Sequence, residues 1–124
     1  MKYLLDTHTF LWSLSNDPQL KPDTKKIVKD KSKVVFLSVI SVWEIVIKVM
    51  AKKLQLDPPV STLLTNLEFE LLPVKLEHVL TIQNLPPIHK DPFDRMLVAQ
   101  AKTENLTLLT SDPKIQAYLS LRPA

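Results

Sequence analysis

The sequence predicts an α/β fold, a three-layer sandwich in which helices flank a mainly parallel sheet of four or five short strands. Three observations predict it. Short apolar runs alternate with longer segments of helical period from one end of the chain to the other, the pattern of a sheet built through crossover helices. The 124 residues are 45% apolar and 23% charged, the balance of one folded domain over residues 1–124 with a core of its own. Helix punctuation is also explicit. Four Asp-Pro pairs (17–18, 57–58, 91–92 and 112–113) offer a cap followed by proline, the favoured order at a helix start.

Taken in order, Lys2–Leu5 reads as the first strand and Thr7–Leu14 as a helix, followed by a lysine-rich helix over Asp23–Asp30. Val34–Leu37 is short and β-branched, a second strand. Val39–Leu54 is rich in Val and Ile, but sixteen residues exceed a strand. Its polar residues Ser41, Glu44, Lys48 and Lys52 recur at helical spacing, which predicts a helix buried except for one polar stripe. Pro59–Leu67 reads as a helix, Leu71–Val74 as a strand and Glu77–Asn84 as a helix closed by Pro86-Pro87. Pro92–Glu104 is a helix, Thr107–Thr110 a strand and Pro113–Leu119 the last helix. The chain has no glycine, so asparagine is the next residue suited to the left-handed position after a helix. Asn16, Asn84 and Asn105 stand at such places.

Composition removes whole function classes. Without cysteine there are no disulfides, thiolate nucleophiles or Cys-based metal sites. Without glycine the phosphate-cradling loops of common nucleotide-cofactor enzymes are excluded. No apolar run reaches the length of a membrane span, and the acid at Asp6 comes too early for a signal peptide, so a cytoplasmic location is expected. A net charge of +3 and a pI near 9.2 are compatible with a nucleic-acid partner.

In an open parallel sheet ligands bind at the carboxyl ends of strands. Asp6 directly follows the first strand, and Asp112 follows Thr107–Thr110. Glu44 and Asp94 lie in the first turns of helices entered from the same region. Four carboxylates brought together repel one another and call for a cation. An oxygen-only set selects a hard ion, Mg²⁺ or its substitute Mn²⁺, able to activate water against a phosphodiester. Each acid also has a local reading. Ser41-Val42-Trp43-Glu44 fits a capping box. Asp91 and Asp112 precede prolines as N-caps, and Asp94 suits the dipole of a first turn. Asp6 is the hardest to explain locally, because a carboxylate ending a buried strand is costly unless paired.

Leu4-Leu5-Asp6-Thr7-His8, Ser41-Val42-Trp43-Glu44-Ile45, His89-Lys90-Asp91-Pro92-Phe93-Asp94-Arg95 and Leu109-Thr110-Ser111-Asp112 together resemble the motifs of PIN-domain nucleases. They look most like the VapC-type toxins of toxin–antitoxin pairs. The resemblance runs from Lys2 to about Tyr118 and implies a Mg²⁺-dependent endoribonuclease, usually a homodimer, neutralised by a cognate antitoxin. The alternatives are a PIN-like nuclease acting on DNA or in housekeeping RNA processing without an antitoxin, and a non-catalytic nucleic-acid-binding module. It carries the family's metal-binding acids onto Asp6, Glu44, Asp94 and Asp112. It implies Asp6 and Asp94 as direct ligands, Asp112 direct or through water, and Glu44 mostly through water. Thr7 and Thr110 are expected either to hydrogen-bond the ligating carboxylates or to cap locally. His8 and His89 lie near the acids, but nothing in the sequence pins the two rings together for acid–base cleavage.

Setting the four acids aside leaves sixteen bases against nine acids, a balance of +7. Lys25, Lys29 and Lys33 share a helical face if the helix reaches that far, and Lys52 and Lys53 end another helix. One or both stripes are read as candidate RNA-phosphate contacts or as solvated faces. Lys48 and Arg95 are further candidates for substrate contact, although Lys48 also stands at the spacing for pairing with Glu44. Aromatic residues are sparse at 6%, so an extended base-stacking platform is not expected, and Trp12 and Trp43 are expected in the core or in a dimer interface.

Overall fold

The computed structural model describes residues 1–119. Four strands, β1 (Lys2–Leu5), β2 (Val34–Ser38), β3 (Glu70–Leu72) and β4 (Thr107–Leu109), form one sheet in the order β3-β2-β1-β4. All three pairings are parallel, with Leu4 opposite Phe36 on one side and Leu108 on the other. Between them run α1 (Thr7–Ser15), α2 (Pro22–Lys29), α3 (Val39–Met50), α4 (Val60–Thr65), α5 (Leu76–Ile82), α6 (Pro92–Thr103) and α7 (Pro113–Leu119).

Alternation along β1 divides the core into two layers. Leu4 joins Leu97, Val98, Ile115 and Tyr118 on the face covered by α6 and α7. Leu5 joins Phe10, Leu37 and Ile45 on the face covered by α1 and α3. Strand order places the functional edge: the chain leaves β1 toward β2 and β3 on one side, whereas β4 lies on the other. The carboxyl ends of β1 and β4 therefore flank a topological switch point, where open α/β sheets hold ligands.

Three local expectations need correction. Asn16 and Asn105 adopt the left-handed conformation, with φ of 53° and 55°, but Asn84 does not, and Lys52 does with φ of 60°. Of the four Asp-Pro pairs, Asp91 caps α6 and Asp112 accepts from Lys114 N, while Asp17 only closes a turn to Gln19 N. In α3 the polar stripe faces inward. Ser41 and Glu44 are buried, whereas Val39, Trp43, Ile47 and Met50 are exposed. The helix ends at Met50, and its N-cap is Ser38, whose hydroxyl accepts from Ile40 N, so no capping box forms with Glu44.

Candidate metal centre

Asp6 is 4% exposed and does two jobs. Its Oδ1 accepts from Thr9 N at 2.7 Å and so caps α1, while its Oδ2 accepts from the Thr110 hydroxyl at 2.5 Å. The buried carboxylate is thereby held from both sides of the switch point. Thr110 Oγ1 in turn accepts from Asp112 N at 3.0 Å, which fixes the chain leaving β4. Glu44, also buried, accepts from the Thr7 hydroxyl at 2.7 Å through Oε1 and from Lys48 Nζ at 2.8 Å through Oε2. Thr7 Oγ1 lies 3.0 Å from Ser41 Oγ, so the inward polar face of α3 packs against the start of α1.

Asp94 sits in the first turn of α6 beside the Asp91 cap. Burial pushes its carboxyl up to about 6, and the charge of Asp91 adds to this. A hydrogen bond with His89 opposes the rise, and the charge of Glu44 reinforces it. His89 Nε2 is 2.8 Å from Asp94 Oδ2 and 3.7 Å from Asp112 Oδ2. Ligand atoms of His89, Asp94 and Asp112 all lie within 4.8 Å of one another. Asp112 also shares a cleft of about 230 Å³ with Asp6, His8, Trp12 and Ser111. Asp112 thus links Asp6 to Asp94, and Asp94 senses Glu44. Among the described residues, Asp94 and Asp112 gather about His89, and Asp6 borders the cleft beside Asp112.

The PIN domain family matches residues 3–118 of this sequence. The chain belongs to the PIN domain family. Among solved structures it resembles a chain from the VapBC2 complex of Rickettsia felis, crystallised with a DNA fragment from their promoter. The likeness has a TM-score of 0.69 and 16% identity, and covers 95% of this chain and 93% of that one. No curated protein matches.

PIN nucleases use divalent metal ions, and the donor set in this PIN domain fits one. Carboxylates predominate, their mutual repulsion is visible at Asp94, and hydroxyls or backbone amides fix Asp6 and Glu44 in place. Carboxylates with one imidazole alongside form a donor set for a divalent ion.

The residues proposed for substrate contact are redistributed. Lys25 and Lys29 line a cavity of about 440 Å³ with Ser13, Leu14 and Asn16 at the far end of α1; none of the four acids borders it. Lys33 lies beyond the end of α2 and cannot extend its face. Lys48 pairs with Glu44. Arg95 turns into the protein: Nη1 donates to Pro86 O, His89 O and the Tyr118 hydroxyl, and Nη2 to Ile82 O and Leu85 O. It clamps the segment that carries His89. Neither tryptophan is in the core. Trp12 is half-buried beside the acid cleft, and Trp43 is 57% exposed with its ring edge-on to Phe93.

Proposed function

We propose that this PIN domain is a metal-dependent endoribonuclease and the toxin of a toxin–antitoxin pair. The observation that supports the reading is the placing of Asp94 and Asp112 about His89, with Asp112 also sharing a cleft with Asp6 at the carboxyl end of β1. The charge of Glu44, which helps raise the Asp94 carboxyl, adds the fourth acid. Asp6, Asp94 and Asp112 hold the ion, Mg²⁺ or in its place Mn²⁺, and Glu44 acts through water. A bound divalent ion lowers the pKa of its water and neutralises charge on a phosphodiester. The chain's own contribution is orientation. Thr110 and Thr9 fix the Asp6 carboxylate, Thr7 and Lys48 fix Glu44, and the Asp91 cap sets the first turn of α6 from which Asp94 projects.

The likeness to a VapBC2 chain supports a cognate antitoxin as partner. The exposed apolar row Val39, Trp43, Ile47 and Met50 on α3 supports a homodimer, because such a row is a natural surface to bury against a second copy. No helix among the described residues is long and apolar enough to cross a membrane, in keeping with action on RNA in the cytoplasm.

The test is expression of the wild type beside Asp6→Asn, scoring growth arrest and the ends of RNA fragments. Arrest with new RNA ends that Asp6→Asn abolishes supports the reading. Equal toxicity of the two, or cleavage of DNA alone, sinks it.

A further inference from the structure

The acid cleft does not stop at Asp6. His8 and Trp12, one helical turn apart on α1, line it and also line a larger cavity of about 620 Å³. That cavity runs to Lys48 on α3 and to Lys53, Gln55 and Asp57 beyond the helix end. Two cavities sharing two residues form one groove, with carboxylates at one end and lysines along the other. The ring centroids of His8 and Trp12 are 5.8 Å apart at an interplanar angle of 40°. His8 is exposed and Trp12 half-buried, so both rings offer surface to the groove.

Lys53 reaches this wall for a local reason. The left-handed backbone at Lys52, with φ of 60°, reverses the chain as α3 ends, and Lys53 N returns to Lys48 O at 2.8 Å. Lys53 then lines the groove while its neighbour Lys52 does not. Lys48 is partly neutralised by Glu44, and Asp57 adds one negative charge at the far end. Lys53 is therefore the main phosphate contact available there.

The geometry points to a base-stacking subsite for single-stranded RNA: one nucleobase packs on Trp12 and His8 beside the acid cluster, and Lys53 takes a flanking phosphate. This rests on the nuclease reading above and adds where the substrate strand lies. Every base has a π-face, so an aromatic pair holds a strand with little sequence demand, and alternating phosphates seek the lysine. Leu11, Leu14, Leu54, Leu56, Pro58 and Leu63 also line the larger cavity, but the two carboxylates beside it and Lys48 and Lys53 on its wall favour a charged strand over a wholly apolar peptide.

Trp12 can report on its own occupancy. In a Trp43→Phe, Asp6→Asn protein, which retains one tryptophan and does not cut, titration with a short single-stranded oligoribonucleotide should quench fluorescence to saturation. Moving one abasic position along the oligonucleotide should weaken binding by about 5- to 150-fold at a single register, the worth of one stacked base. In the active protein, Trp12→Leu and the milder His8→Ala should raise KM for cleavage while leaving kcat near wild type, since stacking acts equally on bound substrate and transition state. Binding and Asp6-dependent cleavage with no quenching, no abasic-sensitive register and unchanged KM would overturn the subsite and leave the nuclease intact. An absence of RNA binding and cleavage would overturn both.

Discussion

Thr110 donates its hydroxyl proton to Asp6 Oδ2 at 2.5 Å, joining residues 104 apart in sequence across the carboxyl ends of β1 and β4. The bond satisfies a carboxylate that is almost wholly buried, and the same hydroxyl oxygen accepts from Asp112 N. Thr110→Val keeps the shape and removes both interactions. It should cost about 2–3 kcal/mol in denaturant unfolding, the range for a buried hydrogen bond to a charged group. Thr110→Ser should recover most of the loss. Equal destabilisation by Val and Ser would show that the methyl group, not the hydroxyl, matters.

Asp6 as both cap and ligand separates stability from metal response. Asparagine caps as well as aspartate, and its amide nitrogen can donate to the Thr110 hydroxyl oxygen where Oδ2 accepted from it. Asp6→Asn should therefore leave the metal-free protein within about 2 kcal/mol of wild type. Wild type should gain Tm with Mg²⁺ or Mn²⁺, because an ion bound only by the native state stabilises it by mass action. Asp6→Asn and Asp94→Asn should lose that gain. A Tm that rises equally in all three proteins would place the ion elsewhere.

Asp94 gives the metal-free protein a pH dependence of definite sign. Its carboxyl lies at about 6, above the ordinary 3.8. An acid that binds its proton more tightly when folded stabilises the fold at low pH and loses that contribution as pH rises from about 3.8 through 6. In chelator, the stability of wild type relative to Asp94→Asn should therefore be highest near pH 4, decline toward pH 6 and level off above 7. A difference that stays constant across that range would mean the carboxyl is not perturbed by its surroundings.

The sheet and the helix starts were legible because both follow short-range rules. An apolar run ending in an acid, as at Leu5-Asp6, marks a strand delivering a carboxylate to an edge, and Asp91-Pro92 marks a helix start. What escaped depends on partners far away in sequence. Periodicity found the stripe Ser41, Glu44 and Lys48 but not its direction, because the inward pull comes from the Thr7 hydroxyl. His89 stood out as a neighbour of the acids in sequence, but its place was not legible, since only the fold of the 82–89 segment brings its ring beside Asp94 and Asp112. Arg95 looked like a free cation because five acceptors scattered over 82–118 cannot be anticipated from its neighbours.

That half-buried guanidinium makes a stability prediction. Arg95→Met removes the donors from four backbone carbonyls and from Tyr118, and should cost about 3 kcal/mol or more. Arg95→Lys should not restore it, because an ammonium cannot span acceptors placed for a planar fork. Tyr118→Phe removes the hydroxyl that donates to Pro86 O and accepts from Ile88 N and His89 N. It should cost about 1–2 kcal/mol. A surface arginine used for phosphate would instead leave unfolding unchanged when replaced.

The lysines should divide by position rather than by number. Lys25 and Lys29 border a cavity that none of the four acids reaches, whereas Lys53 lines the groove continuous with the acid cleft. Each phosphate neutralised releases condensed counterions, which appears as a slope of log affinity against log salt of about −0.7 per contact on a single strand. Lys53→Gln should flatten that slope by roughly one contact and weaken binding evenly across sequences. Lys25→Gln with Lys29→Gln should leave both affinity and slope unchanged, despite removing twice the charge. If the double variant flattens the slope and Lys53→Gln does not, the strand follows α2 and not the groove beside α1.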